Sequence, residues 1–352
     1  MLWDDFYGHS TVIDAFRRRL QLKRLASTFL FVGPAGVGKA TFATRLAQAL
    51  LCETVAEEQL DACGQCSACT QLLAGSHPDM LTVARPKDRA FIPLEAFIGE
   101  RDKRMRDGLI HHLSLKPFQG GRKIALIDDA DLLNEEGANS LLKTLEEPPP
   151  MSVLILVGTS EQKQLPTIRS RSQVVRFGPL SNDDVAKILL QKELVGGPAE
   201  ASQLAALSAG SVRRALEWQV PGFVEFRQDL MKLLARPPWP AVKLSKLVQG
   251  FVDSAGKEAP AKRQRFLVVM DVVAGFLRGL LRSLADADAD AELDGDVTSC
   301  ASRWSFGADA ALNCIDRCAD SELQLQRNAN IAGLIECWCD DLSRLADGDA
   351  AC

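Results

Sequence analysis

A buried strand that runs into a glycine-rich loop and then a helix constrains this chain most strongly. The apolar run 28–32 predicts a core strand, the loop Gly33-Pro34-Ala35-Gly36-Val37-Gly38-Lys39 follows it, and helical spacing continues to Leu50. Such a loop lets backbone N–H groups turn inward around phosphate oxygens, while the helix N-terminus and the lysine add positive charge. The stretch therefore predicts a phosphate-binding P-loop.

One position of this loop departs from what nucleotide hydrolysis needs. The residue after the lysine is usually Ser or Thr, whose hydroxyl holds Mg²⁺, and here it is Ala40. Thr41 comes one residue later, and because a helix turns by about 100° per residue, its hydroxyl should point elsewhere. We therefore expect ATP and Mg²⁺ to bind this loop weakly or not at all. The candidate nucleotide-binding residues of the loop are Gly33, Pro34, Gly36, Val37, Gly38, Lys39, Ala40 and Thr41.

Composition limits the remaining classes of function. The length of 352 residues suits two or three domains, and the net charge of −5 argues against nucleic-acid binding over the whole surface. No stretch approaches the roughly 18 apolar residues of a membrane span, and the first residues lack a signal-peptide pattern. We expect a cytoplasmic protein without a membrane partner, whose cysteines are reduced or metal-bound.

Four cysteines after the P-loop helix have the spacing of a metal site. Cys52 precedes the cluster Cys63-Gly64-Gln65-Cys66-Ser67-Ala68-Cys69, in which two-residue gaps separate the thiols. Four thiolates suit Zn²⁺ in a closed tetrahedral site, which would be structural because it leaves no position for a substrate. The alternative is a set of free thiols in an irregular loop. The other cysteines lack such spacing and are expected to be buried or incidental thiols: Cys300, Cys314, Cys318, Cys337, Cys339 and Cys352.

A second apolar run, 124–127, ends in the acidic pair Asp128-Asp129. Downstream of a P-loop this indicates a Walker B strand, in which Asp128 would orient Mg²⁺ or its water. In hydrolysing relatives of this class a Glu usually follows and activates the attacking water, whereas Asp129 is one methylene shorter. This is a second departure from hydrolysis. The alternative is a pair of acids that only caps the strand.

Further strands are predicted at 80–83, 153–158 and 174–177, with a helix at 132–147 that ends before three prolines. Strands alternating with helices imply a parallel sheet with its ligand at the carboxyl edge. Thr159 follows one strand and would be either a γ-phosphate sensor or a helix cap. Arg169 and Arg171, two arginines with a serine between them in the run 168–172, suit an arginine finger because the planar fork of arginine stabilises charge on a transferring phosphate, although this signal alone is weak.

Two charged stretches and the C-terminal part complete the pattern. The basic segment 84–107 is either a helix that contacts a phosphate backbone or a solvated face, and its interleaved acids favour the solvated face. The acidic stretch 286–296 is interpreted as a solvated linker. Apolar residues at helical spacing predict helices through the rest of the chain after residue 222.

Taken together, these motifs resemble bacterial clamp-loader AAA+ subunits of DNA polymerase III. The resemblance rests on the P-loop, the four cysteines, Ile127-Asp128-Asp129-Ala130-Asp131 and Ser140-Leu141-Leu142-Lys143-Thr144-Leu145-Glu146-Glu147-Pro148-Pro149. It covers nearly the whole chain and is weakest from about 222 to 300. Ser170-Arg171-Ser172 resembles the Ser-Arg-Cys motif of that family with Ser172 in place of Cys, Gly210-Ser211-Val212-Arg213 resembles its sensor 2, and Gln326-Arg327-Asn328-Ala329-Asn330 resembles the start of its collar helix.

The resemblance implies an α/β AAA+ P-loop domain at 1–178 with a zinc module at 52–69, a helical lid at 179–220 and an all-α collar at 221–352. Gly-Lys-Ala and Asp-Asp resemble the delta-prime family of these subunits more than the gamma/tau motors. The resemblance then implies a stator that presents Arg171 in trans to ATP held by a motor subunit, with Thr159 and Arg213 at its own nucleotide site.

Implied partners are gamma/tau and delta subunits in a hetero-pentamer, and through them the sliding clamp and primed DNA. The chain is expected to have no ATPase activity alone and to belong to a DNA-directed DNA polymerase, which is a nucleotidyltransferase as a complex. One alternative is an ATP-hydrolysing motor subunit of the gamma/tau type. Another is a zinc-dependent DNA-binding protein with a vestigial P-loop.

Overall fold

The computed structural model describes residues 2–86, 89, 91–119, 121–285, 295–327 and 329–347. The chain divides into two units, Met1–Leu216 and Glu217–Cys352. The further division of the first unit into a P-loop domain and a lid stays a prediction. Most of the stretch interpreted as an acidic linker, 286–294, lies outside the described residues, as do Asn328 and Cys352.

A five-stranded parallel sheet forms the centre of the first unit, as predicted. Its strands are β1 (Thr28–Val32), β2 (Met80–Val83), β3 (Lys123–Ile127), β4 (Ser152–Val157) and β5 (Gln173–Arg176), in the order β2-β3-β4-β1-β5. Strands β1, β3 and β4 are buried along their whole length. Parallel strands covered by helices on both faces require such continuous apolar runs.

Helices cover the two faces of this sheet. They are α1 (Ser10–Gln21), α2 (Lys39–Leu51), α3 (Ser67–Leu73), α4 (Glu95–Ile98), α5 (Gly108–Ser114), α6 (Glu135–Glu146) and α7 (Pro166–Arg169). The chain then continues with α8 (Asn182–Gln191), α9 (Pro198–Leu207) and α10 (Val212–Glu217). Alternation along β1 supplies both cores, because successive side chains in a strand point to opposite faces. Phe29 and Phe31 join the core of α1 and α2, where Phe29 lies 5.0 Å from Phe16 between ring centroids. Leu30 joins the core of α4, α5 and α6.

The basic segment between β2 and β3 is not one helix in the residues that the structure describes there. Only α4 and a 3-10 turn at Arg101–Lys103 form within it. Gly99 has a φ of 82°, and the Met105 N–H donates to the Ile98 carbonyl at 2.7 Å, so the chain closes into a loop. The interpretation of this segment as a single helix that contacts a phosphate backbone is therefore wrong, because its described residues do not form one helix. Four cations of the loop are exposed, as on a solvated face: Arg101, Lys103, Arg104 and Arg106.

The second unit is helical throughout its described residues. Its helices are α11 (Phe223–Leu234), α12 (Ala241–Asp253), α13 (Ala259–Ala285), α14 (Gly295–Ala301), α15 (Gly307–Gln326) and α16 (Ile331–Ala346). Phe266 of α13 packs edge-on against Trp338 of α16 with ring centroids 5.4 Å apart. Four of the cysteines predicted to be buried thiols are buried, Cys300, Cys314, Cys318 and Cys339, whereas Cys337 is exposed. None of the described helices is both long and apolar enough to cross a bilayer.

A buried carboxylate at the start of β2 holds the loop that leads into β3. Asp79 is fully buried, and its two oxygens accept the N–H groups of Phe118 at 2.7 Å and Gln119 at 2.9 Å. The buried Lys123 ammonium lies 4.0 Å from Asp79 and donates to the His112 carbonyl at 2.7 Å. The carboxylate therefore satisfies two backbone donors and faces one cation inside the protein.

We expect Asp79→Ala to lower the free energy of unfolding by about 3 kcal/mol, because it removes a buried carboxylate that accepts two N–H groups of the loop and leaves the buried Lys123 ammonium without its counter-charge. Urea denaturation followed by circular dichroism measures the loss. Asp14→Ala is the control, since Asp14 makes only an exposed ion pair with Arg17 and should change stability by less than about 1 kcal/mol. Equal effects of the two substitutions would contradict this role of Asp79.

Candidate functional site

The glycine-rich loop has the backbone form of a P-loop. Gly33, Gly36 and Gly38 all have positive φ, at 148°, 75° and 100°, and α2 begins directly after them. The Lys39 side chain is buried, and its ammonium donates to the carbonyls of Gly33 at 2.7 Å and Pro34 at 2.6 Å. Desolvation lowers the pKa of Lys39, while nearby carboxylates act in the opposite direction. The lysine is therefore hydrogen-bonded to its own loop.

The N-terminal end of α10 packs directly on the P-loop. The Ser211 hydroxyl donates to the Ala35 carbonyl at 2.8 Å, and the Val212 N–H donates to the Gly36 carbonyl at 3.1 Å. A Cβ atom added at Gly36 would lie 2.4 Å from the Cβ of Arg213. The structure thus brings Arg213 to the loop, as sequence reasoning proposed, and two loop carbonyls are already bonded by the same segment.

The end of β3 supplies the acidic side of the site. Burial raises the pKa of the Asp128 carboxyl, and the charges of Lys39 and Arg213 act against this rise. Asp128 also accepts the backbone N–H of Asp129, which has a φ of 56°. Left-handed backbone is uncommon outside glycine but is tolerated by Asp and Asn. Asp128, Lys39 and Arg213 are therefore within electrostatic reach of one another.

Asp131 organises the adjacent corner of the sheet, and the sequence reasoning assigned it no role. One of its oxygens accepts both the N–H of Thr159 at 2.7 Å and the Thr159 hydroxyl at 2.5 Å, and the other accepts the Gln164 amide at 2.6 Å. Gly158 has no room for a side chain, since a Cβ there would lie 2.6 Å from Asp131. The Thr159 hydroxyl is thus bonded to Asp131. In the sequence, Asp131 stands out only as part of the acidic run after β3, and nothing near it points to Thr159 or Gln164.

Arg171 lies near the amino ends of the strands, whereas Lys39, Asp128 and Asp131 lie near their carboxyl ends. It precedes β5, whose first residue Gln173 is in register with Phe29, four residues before Gly33. At a rise of about 3.3 Å per residue, this places Gln173 about 13 Å below the P-loop. The hydroxyl of the neighbouring Ser172, which replaces the cysteine of the resembled motif, is buried without a hydrogen-bond partner in the described structure. Arg171 is therefore not part of the chain's own nucleotide site.

The four predicted metal ligands converge in space. Their sulfur atoms all lie within 4.8 Å of one another, with Cys52 and Cys66 at 4.0 Å and Cys63 and Cys69 at 4.0 Å. Tetrahedral Zn²⁺ with bonds of about 2.3 Å requires sulfur atoms about 3.8 Å apart. Cys52 ends α2, and Cys66 caps α3. The donor set and its spacing therefore fit a closed structural zinc site.

Hydrogen bonds prepare part of this cluster for the thiolate form. The Thr54 hydroxyl and the N–H groups of Gln65 and Cys66 lower the pKa of Cys63 to about 6. Burial instead raises the pKa of Cys69 to about 12. A bound cation would supply the charge that ionises such a thiol.

Arg122 joins the cysteine module to β3 through a bidentate ion pair with Glu57, at 2.7 and 2.9 Å.

We expect Cys69→Ser to abolish zinc binding and to lower the melting temperature, because a hydroxyl is a poor ligand and the cluster would lose its buried donor. Metal analysis of the purified protein gives the zinc content, and calorimetry gives the melting temperature. Cys337→Ser, at an exposed position of α16, serves as the control and should retain both values. One zinc ion per chain in the Cys69→Ser variant would contradict the site.

We expect Gly36→Ala to destabilise the first unit by about 2–4 kcal/mol, because the new Cβ would be strained by the positive φ and would overlap Arg213. Gly75→Ala is the matched control. Gly75 also has a positive φ, 68°, but nothing lies within 4 Å of the added Cβ, so only the backbone cost of about 1–2 kcal/mol applies. Urea denaturation compares the two variants, and equal losses would show that the contact with α10 contributes nothing.

Comparison with known proteins shows which family this chain belongs to. A family model described as DNA polymerase III, delta subunit, matches residues 8–181. DNA polymerase III subunit delta' of Pseudomonas aeruginosa is 36% identical over 241 residues, which cover 65% of this chain and 70% of that protein. The tau subunit of Escherichia coli is 32% identical over 216 residues, which cover 60% of this chain and 31% of tau.

A solved structure also matches at low similarity. The gamma subunit-related protein of Thermotoga maritima aligns over 96% of this chain and 99% of its own with a TM-score of 0.41 and 16% identity, which is too low to carry an argument. The sequence relatives carry the assignment, and they confirm the interpretation made from the motifs. The chain belongs to the delta-prime family of DNA polymerase III subunits.

Proposed function

We propose that this chain is the stator of a clamp loader, which presents Arg171 to ATP bound by a neighbouring gamma/tau-type motor subunit and does not turn over ATP itself. In this role it assembles in the cytoplasm with gamma/tau and delta subunits into a hetero-pentamer that loads the sliding clamp onto primed DNA. The observation that carries the proposal is the position of Arg171 at the sheet edge away from the chain's own P-loop.

The chain's own P-loop supports the proposal that this chain does not hydrolyse ATP. Ala40 offers no hydroxyl to Mg²⁺, and the Lys39 ammonium is bonded to loop carbonyls. The carbonyls of Ala35 and Gly36 are bonded by the start of α10. These two bonds join the P-loop to α10, and ATP with Mg²⁺ is proposed to bind the loop weakly or not at all because Ala40 lacks the metal-holding hydroxyl.

Arg171 has the chemistry that a neighbouring nucleotide requires. Its side chain is about one-third exposed, 34%, so a second chain can reach it. The guanidinium is planar and always charged, and it stabilises the negative charge of a phosphoryl transfer when it is supplied from a neighbouring subunit. Because the start of β5, which Arg171 precedes, lies about 13 Å from the P-loop along the strands, we propose that the phosphate that Arg171 meets belongs to another chain.

An ATP-hydrolysing motor subunit of the same loader is the second candidate. The retained Lys39, Asp128 and Arg213, and the similarity to tau, favour it. Ala40 and Asp129 disfavour it, because both replace residues that act directly on Mg²⁺ or on the attacking water.

The zinc module is proposed to be structural, since Glu57 joins it to β3 and its four donors close the site.

We expect the purified chain to show no ATP turnover and Arg171→Ala to abolish the finger-dependent turnover at one site of the reconstituted loader, because a transferred arginine contributes about 10³-fold or more to such a site. The measurement is clamp- and DNA-stimulated ATPase of the loader assembled with gamma/tau and delta. Arg169→Ala, in the exposed last turn of α7, is the control and should not change the rate.

Assembly of each variant is checked by size-exclusion chromatography before its rate is compared. An unchanged rate in an assembled Arg171→Ala loader would remove Arg171 from the proposed role. Sustained ATP turnover by the chain alone, lost on Lys39→Ala, would overturn the stator and support the motor.

A further inference from the structure

The guanidinium of Arg171 is held by acceptors from two separate parts of the chain. Its Nη2 atom lies 2.6 Å from a Glu146 carboxylate oxygen. Its Nη1 atom donates to the Thr167 carbonyl and to the Ser170 hydroxyl, both at 3.2 Å. Its Nε–H has no acceptor among the described residues, so one edge of the fork remains available to a phosphate.

Glu146 reaches Arg171 from a rigid element. It is the last residue of α6, a 12-residue helix that begins at the Asn134 cap, where the asparagine side chain accepts the Gly137 N–H. Leu141 and Leu145 bury this helix in the core beside β3 and β4. The C-terminal end of a helix also carries partial negative charge, which favours a cation there. The backbone that carries Glu146 is therefore fixed by the core and not by the segment that carries Arg171.

The ion pair between Arg171 and Glu146 contributes little to the free energy of folding. The two side chains are 34% and 50% exposed, and exposed pairs contribute only modestly to the free energy of folding. What the contact does supply is order, because a free arginine side chain samples many rotamers and pays for their loss when it meets a ligand. Three acceptors select one position for this guanidinium before any neighbour arrives.

We propose that Glu146 is the positioning residue for Arg171, which holds the guanidinium by Nη2 and presents its Nε edge to the phosphates of the nucleotide on the neighbouring subunit. This inference rests on the proposed function, since it concerns the same arginine. Glu146 itself touches no nucleotide and acts only through Arg171. Thr167 and Ser170 complete the cradle from the other side of the guanidinium.

Glu146→Ala should lower kcat of the reconstituted loader's finger-dependent ATPase by about three- to tenfold, the range expected for losing one ordered side chain, and should change KM for ATP by less than about twofold. Glu146→Gln keeps an oxygen that accepts from Nη2, and it should restore at least half of the wild-type kcat. The adjacent Glu147→Ala is the matched control, because Glu147 is exposed and has no ion pair in the described structure.

The double variant Glu146→Ala/Arg171→Ala separates positioning from general destabilisation. If Glu146 acts through Arg171, it should be no slower than Arg171→Ala alone, because the effects of residues that act as one unit do not add. A further loss in the double variant would overturn the inference. So would a wild-type kcat for both Glu146→Ala and Glu146→Gln while Arg171→Ala is impaired. An unimpaired Arg171→Ala loader would instead overturn the proposed function, and the inference with it.

Discussion

The burial of β1 between β4 and β5 is the constraint on which the rest of the first unit depends. Its side chains alternate between two cores, with Phe29 and Phe31 on one face and Leu30 on the other. Because it pairs with a parallel strand on each side, its carboxyl end sets the place of the P-loop. The same register sets the level at which β5 begins, and with it the level of Arg171.

The two edges of this sheet consequently carry different chemistry. At the carboxyl edge, Lys39, Asp128 and Arg213 surround a loop whose carbonyls are bonded within the chain. At the amino edge, Arg171 is exposed and is oriented by Glu146. The chain thus carries the residues of a nucleotide site at one end of its strands and an arginine at the other, as the proposed action on a neighbouring subunit requires.

The cysteine module and the buried Asp79 network hold loops that precede β3 in sequence. Glu57 links the cysteine module to Arg122 beside β3, and Asp79 holds the loop before the same strand. Both contacts place charged groups against backbone donors or a fixed guanidinium, which restricts the loops that they hold.

The sequence by itself determined the features that depend on local spacing. The P-loop, the strand ends and the cysteine cluster are each encoded within one short segment, because spacing and periodicity along that segment specify them. Tertiary structure alone decided the contacts between distant segments: Ser211 on Ala35, Asp131 on Gln164, and Glu146 on Arg171. It also closed residues 98–105 of the basic segment into a loop, in which Gly99 has a positive φ and Met105 bonds back to Ile98. No local pattern encodes these choices, because they depend on which elements the sheet brings together.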